Sequence, residues 1–256
     1  TSKATGRPFK ADKNNMVYCN FNKLDKLEPK GFSLWLNILH RSPRSLLWLL
    51  KPSSENAWHA AKRNLELEAL AHGIDSSRIV WANRVSKQAH LDRQRYCDLF
   101  LDSPGAYGAH STCSDALYAE VPVLSLELPH FAGRVCASIL DDVGLDVLVV
   151  HSVKEFEDVA VAVAQPLPGL QLRRVDLLQA LLRHTISSSN VAQCPLFDAA
   201  SYTRDLESGC MAMMEVRNIR NGSNDMHIAL TGSRSSRQSS VSLPVIAQSQ
   251  SIFLNF

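Results

Sequence analysis

Asp98-Leu99-Phe100-Leu101-Asp102 is a compact apolar run. A Gly/Pro-punctuated loop follows, Ser103-Pro104-Gly105-Ala106-Tyr107-Gly108-Ala109-His110. Ser111 to Ala119 then carries good capping residues at its head, and Val121-Pro122-Val123-Leu124-Ser125-Leu126 is again apolar. Strand, loop, helix and strand in this order read as a βαβ unit. Pro122 puts the second strand near an edge or makes this its start.

The same alternation extends in both directions. Upstream, strands are expected at Val17–Phe21, Ser45–Leu50 and Arg78–Trp81. Helices are expected at Pro29–Arg41, Asn56–His72 and Ser86–Arg95, with Ala57, Ala61, Leu65 and Ala69 as the inner face of the second. Downstream come a helix at Ala132–Leu140 and a short strand at Asp146–Val150. A capping box, Ser152-Val153-Lys154-Glu155, opens the next helix, and further helices are expected at Leu170–Ile186 and Leu196–Glu215. Short links between alternating elements imply an α/β fold: a Rossmann-like parallel sheet with helices on both faces. Ligands in such sheets bind beyond the carboxyl ends of the strands.

Composition bounds the function. The chain has 256 residues, 45% of them hydrophobic, with a net charge of +2. So weak a field does not call for nucleic acid as a partner. No apolar run approaches the roughly 20 residues that a membrane span needs. The first 15 residues form a polar, basic leader without a signal-peptide core, and the missing initiator Met suggests a fragment or a processed chain. Residues 16–215 carry the α/β pattern. Residues 216–256 are Ser-rich without period and read as a disordered tail. The six cysteines form no C-x-x-C pair, which points to reduced thiols and against a structural zinc.

Three clusters of chemistry follow three strands. His110-Ser111-Thr112 stands where a helix begins. Free amides, a positive dipole end, two hydroxyls and an imidazole there suit a diphosphate, although Ser111 or Thr112 capping the helix is the plainer account. Lys23 and Lys26 follow the strand at Val17–Phe21. Lys87, His90 and Arg93 follow the strand at Arg78–Trp81 and share a helix face. Solvated loops or faces would explain each of these two clusters alone. His130 is read as a solvated loop residue, and the four tryptophans as core.

These residues, in this order, resemble the protein O-GlcNAc transferases, which move N-acetylglucosamine from UDP-GlcNAc to Ser/Thr hydroxyls of proteins. The resemblance runs from Val17 to Met214. It rests on Val17-Tyr18-Cys19-Asn20-Phe21-Asn22, Ser45-Leu46-Leu47-Trp48-Leu49-Leu50, Arg78-Ile79-Val80, the Lys87…His90 turn and Leu101-Asp102-Ser103-Pro104. It continues through His110-Ser111-Thr112 with Asp115-Ala116-Leu117-Tyr118-Ala119, then Glu155-Phe156-Glu157-Asp158-Val159-Ala160 and Pro195-Leu196-Phe197.

The resemblance implies the C-terminal, sugar-nucleotide-binding lobe of a two-lobed GT-B glycosyltransferase, inverting and metal-independent, in cytoplasm and nucleus. It gives Lys26 the catalytic place at the diphosphate. Lys23 lies beside it, Lys87 and Arg93 around the nucleoside, and His90 against uracil and ribose. The backbone near Val85 reads the uracil edge. His110, Ser111 and Thr112 hold the diphosphate, and Asp115 accepts from the ribose.

Departures are visible too. Lys23 stands where the family often has glutamine, the loop between Pro104 and His110 is one residue longer, and Glu120 replaces a common Gly. The family's N-terminal lobe and tetratricopeptide repeats have no counterpart, so the chain is expected to be inactive alone. Two alternatives stand beside this reading. One is the related plant-type protein O-fucosyltransferase, which uses GDP-fucose but has Thr-rich sequence where this chain has His110. The other is a degenerate, non-catalytic lobe.

Overall fold

The computed structural model describes residues 15–105, 107–167, 172–187, 194–219, 228–231 and 252–255. It divides into two compact units, Thr1–Leu196 and Phe197–Phe256.

The first unit is built on a six-stranded, wholly parallel sheet. Its strands are β1 (Met16–Asn20), β2 (Ser45–Leu50), β3 (Ile79–Ala82), β4 (Leu99–Leu101), β5 (Val123–Leu126) and β6 (Val149–Val150), in the order β3-β2-β1-β4-β5-β6. The interleaved helices are α1 (Pro29–Arg41), α2 (Glu55–Ala71), α3 (Lys87–Gln94), α4 (Ser111–Tyr118), α5 (Phe131–Asp142), α6 (Val153–Ala164) and α7 (Arg174–Ser187). α1, α6 and α7 pack in one row and α3, α4 and α5 in another. Right-handed crossovers put the two rows on opposite faces of the sheet.

Every residue of β1 is buried, as an interior parallel strand requires. Pro122 lies just before β5, which pairs on both sides, so the proline marks a strand start and not an edge. The expected strand at Asp146–Val150 is a 3₁₀ turn, Asp146–Leu148, followed by β6. α2 leads to the sheet-edge strand β3 and has little sheet to cover. Ala69 is buried, Ala61 and Leu65 are half-buried, and Ala57 is exposed. Trp35 and Trp48 are core, whereas Trp58 and Trp81 form a half-buried, edge-to-face pair at 4.8 Å.

Strand order reverses between β1 and β4, and in such sheets that reversal opens a crevice at the carboxyl ends. Here it is bridged from below by Asn20, whose Nδ2 donates to Leu101 O (2.7 Å) and Ser103 Oγ (3.2 Å). The loops after Asn20 and Leu101 therefore meet over the reversal.

Three helices end in the same motif. After α2, α4 and α5 the chain turns through a left-handed residue: Gly73 (φ 71°), Glu120 (φ 64°) and Gly144 (φ 73°). Glu120 N donates to Leu117 O and Val121 N to Ala116 O, both at 2.9 Å, the paired bonds of a Schellman ending. Glu120 is the residue without a glycine's freedom, and its carboxylate pairs with Arg183 at 2.9 Å. The left-handed strain on an L-residue is about 1 kcal/mol or more. A largely exposed ion pair contributes less. Glu120→Gly is therefore expected to raise the melting temperature by about 2 °C. A drop on differential scanning calorimetry would show the ion pair to outweigh the strain.

The second unit holds α8 (Ala199–Ile219), β7 (Ile228–Thr231) and β8 (Ile252–Asn255). Asp198 heads α8, its Oδ1 accepting from Ser201 N at 3.0 Å. The helix continues four residues past the expected boundary at 215. β7 and β8 pair in parallel, with Ile228 beside Ile252 and Leu230 beside Leu254. They are short apolar runs inside the segment read as a disordered tail, and most of that segment, like the leader 1–14, lies outside the described residues. Among the described residues no helix is long and apolar enough to cross a membrane. The cysteines described are free; five are buried and Cys210 is exposed.

Candidate functional site

β1 delivers the first cluster. The chain leaves Asn20, passes buried Phe21 and Asn22, and makes a 3₁₀ turn, Leu24–Lys26. The turn points Lys26 across the β1/β4 reversal, where its Nζ donates to Gly108 O at 3.1 Å. Lys26 is half-buried, while Lys23 is exposed.

β4 delivers the second. His110 is the residue before α4, with no side-chain capping bond, and its Nε2 lies 3.4 Å from Ala132 O. The amides of Ser111 and Thr112 head the helix, and those of Cys113 and Ser114 turn back to His110 O at 2.9 and 3.3 Å. The first amides of a helix lack intrahelical acceptors and concentrate its positive dipole end, so this junction favours an anion. Ser111 is exposed. The Thr112 hydroxyl has a different task from the one expected of it: it donates to Asn22 Oδ1 at 2.5 Å, tying α4 to the loop after β1. Asn22 in turn donates to Ser103 Oγ at 3.1 Å.

β3 delivers the third. Ser86 caps α3 by accepting from Ala89 N. Val85, just before it, is exposed. Lys87 on α3 pairs with Asp115 on α4 at 2.5 Å, so the residue expected around the nucleoside and the one expected at the ribose hold each other. His90 lies edge-on to Phe21, their rings 5.1 Å apart. Arg93 is committed inward. It donates to His90 Nδ1 (3.0 Å from Nε) and to Asn83 O, and its guanidinium lies over Phe21 at 5.3 Å. Arg93 thus braces His90 and does not project towards a ligand.

Burial first, and the Arg93 charge second, push the His90 imidazole down to about 4. With Nδ1 accepting, the neutral ring carries its proton on Nε2 and presents a donor. The sign of its linkage to stability follows. The unfolded chain takes a proton at the ordinary value near 6.5, the folded chain only near 4. His90 therefore costs stability as pH falls through that window, by less than the full shift because the ring is half-exposed. Urea midpoints at pH 7 and pH 4.5 should fall further for the wild type than for His90→Gln. Equal falls would place the acid sensitivity elsewhere.

The structure thus gathers the three clusters on one rim of the sheet through Lys26–Gly108, Phe21–His90 and Lys87–Asp115. The sequence motifs contain Asn20, Asn22, Asp102 and Ser103 but give none of them a place in the site; they are the buried polar residues beneath the rim. Their signal was there: polar side chains interrupt apolar strand ends at both sides of the reversal. His130, read as solvated, caps α5 by accepting from Gly133 N at 2.9 Å. Among the described residues no group of three or more His, Cys, Asp or Glu could hold a metal ion.

Residues 3–206 match the model of glycosyl transferase family 41. The UDP-N-acetylglucosamine–peptide N-acetylglucosaminyltransferase of Caenorhabditis elegans is 32% identical over 75% of this chain and 15% of its own length. The probable enzyme of that name, SEC, of Arabidopsis thaliana is 31% identical over 83% of this chain and 20% of its own. The chain thus spans a fifth or less of these curated relatives. A mutant O-GlcNAc transferase of Thermobaculum terrenum superposes with a TM-score of 0.65 at 25% identity, over 81% of this chain and 38% of that one. Sucrose-phosphate synthase of Thermosynechococcus elongatus shares the fold, with a TM-score of 0.51 at 14% identity over 78% of this chain and 47% of that one. The parallel sheet is that of a GT-B lobe.

Proposed function

The chain belongs to glycosyl transferase family 41, and from that premise we propose that it is the UDP-GlcNAc-binding lobe of an inverting protein O-GlcNAc transferase. The observation that carries this reading is the meeting of Lys26 with the loop that opens α4, over the reversal of strand order. In the proposed complex the diphosphate lies against the Ser111 and Thr112 amides, with the Ser111 hydroxyl and His110 beside it. Lys26 exchanges Gly108 O for a phosphate oxygen. As the bond to the sugar breaks, negative charge grows on UDP, and a fixed ammonium and helix start stabilise it without reorganising. That supplies the role a metal ion would otherwise fill.

On the same reading, His90 Nε2–H and the backbone near Val85 serve the nucleoside. Asp115 accepts from the ribose once it shares Lys87. Arg93 acts through His90. Protein acceptors, the N-terminal lobe with its tetratricopeptide repeats, the dependence of activity on that lobe, and a cytoplasmic and nuclear location belong to the same proposal.

Calorimetry of the purified chain tests it, with UDP as ligand and GDP as control, in EDTA. UDP is expected to bind and GDP to be ignored. Binding that needs a divalent cation would remove the metal-independent account. A folded chain that binds neither nucleotide would overturn the site.

A further inference from the structure

We infer that Asp102 is a positioning residue that fixes the loop joining β4 to α4 in the shape the proposed UDP site requires. The inference rests on the UDP-binding reading and goes beneath it, to a residue that touches no ligand.

Asp102 closes β4 and is buried to 3% exposure. Its two carboxylate oxygens have separate work. Oδ1 accepts from Ser103 N at 2.7 Å and from Ala109 N at 2.5 Å, the two ends of the loop. Oδ2 accepts from Ser125 Oγ of β5 at 2.7 Å, which anchors the carboxylate to the sheet. One oxygen therefore cinches the loop and the other holds the clasp. Gly108 lies against the clasp: a Cβ there would stand 3.3 Å from Oδ2 and 3.1 Å from Ala132 O. Two consequences follow directly. Gly108 O is presented to Lys26. Ala109 N is tied down one residue before His110, so the head of α4 is placed from the same point. Burial pushes the Asp102 carboxyl up, against the pull of its donors. Cys136 also hydrogen-bonds to the carboxylate. An amide keeps the three bonds that hold the loop: Oδ1 still accepts from both loop amides, and Nδ2 donates to Ser125 Oγ.

That equivalence provides the test, by UDP calorimetry and amide hydrogen exchange on the full chain. Asp102→Ala is expected to weaken UDP binding about tenfold or more, the scale of a lost charge-assisted contact to the diphosphate, and to speed exchange at Ala109. Asp102→Asn should restore both. Ser125→Ala removes the anchor bond and the Ser125–Cys136 contact but neither loop bond, and should lower the melting temperature while UDP affinity stays within about twofold. If Asp102→Ala fails to fold, Gly108→Ala decides: it keeps the carboxylate and crowds the loop from the other side, and it should weaken UDP binding with little loss of stability. Unchanged UDP affinity in Asp102→Ala or, where that variant does not fold, in Gly108→Ala overturns the positioning role. So does a loss in Asp102→Asn as large as in Asp102→Ala, or an equal loss in Ser125→Ala. A wild-type chain that ignores UDP overturns the nucleotide reading itself, a result none of the variant outcomes can mimic.

Discussion

Arg78→Ala should lower the melting temperature by about 10 °C and leave UDP affinity within about twofold. Arg78 ends the 3₁₀ turn before β3. Its Nε donates to Ser45 O at 2.9 Å, and its Nη2 reaches Leu39 O and Ser42 O at 2.8 Å and Ser45 Oγ at 3.0 Å. One guanidinium thus knots the last turn of α1 to the start of β2. Leu39 O, in the last turn of α1, accepts from the Ser42 amide at 3.1 Å, and Arg78 occupies its second lone pair. Burial pushes the Arg78 guanidinium down, yet the group stays charged, so its oxygen partners are what make its position tolerable. Removing it strips three backbone carbonyls of a charged donor. Each such bond contributes about 1.5–3 kcal/mol, and partial rehydration recovers some, leaving a net loss of about 3 kcal/mol. Arg78→Lys should recover less than half, because an ammonium cannot fork to these acceptors. Arg78 stands at the amino end of the sheet and the rim of Lys26 and His110 at the carboxyl end, which is why binding should survive. Differential scanning calorimetry decides: a fall of under about 3 °C would mean that water replaces the guanidinium at little cost.

The alternation of apolar runs and amphipathic stretches carried most of the first unit's architecture, because a parallel sheet buries its strands on both faces and writes them as continuous apolar runs. Ser45–Leu50 and Pro29–Arg41 have the expected bounds to the residue. The strand order could not be read from such runs, since Ser45–Leu50 would look the same beside any neighbour. Only the pairing of β1 with β4 shows that the loops after Asn20 and Leu101 meet. The second limit concerned side chains that serve the fold and the site together. Thr112 and Arg93 are the types that bind nucleotides, and the sequence offered them as ligand contacts. Their partners, Asn22 and His90, lie 90 and 3 residues away, and the structure spends both side chains on bracing. Asp102 reads in the sequence as a strand end and as part of a motif, with no role in the site, for the opposite reason: a carboxylate ending a strand resembles the start of any polar loop until Ser103 N, Ala109 N and Ser125 Oγ converge on it. The Glu120 substitution, by contrast, was legible as a departure from a common glycine, and its φ of 64° supplies the reason a glycine is favoured there.

Lys26→Ala should weaken UDP binding at least tenfold, and Lys23→Ala by less than about threefold. Both are ammonium groups on one short loop, and the sequence treats them alike. Their surroundings separate them. Lys26 is half-buried, held at 3.1 Å by Gly108 O, and faces the head of α4. At an effective dielectric of about 20, a charge 4 Å from a phosphate gains about 4 kcal/mol before desolvation. A net of roughly 1.5–3 kcal/mol survives for a hydrogen bond to a charged partner, tenfold to a hundredfold in affinity. Because Gly108 O already fixes the ammonium, little side-chain entropy remains to be lost on binding. Lys23 is exposed, and the same Coulomb term in water is about 1 kcal/mol before entropy and screening reduce it. Salt should separate them again. Raising ionic strength from about 0.05 to 0.5 M should erase the small Lys23 effect and keep most of the Lys26 effect, since a partly buried pair is screened less. Calorimetric titration of UDP at both salts measures all four quantities. If Lys23→Ala proves the costlier variant, the diphosphate lies further out along the loop. The Lys26–Gly108 contact would then be a loop brace, and the charge stabilisation would belong to Lys23 and the helix start.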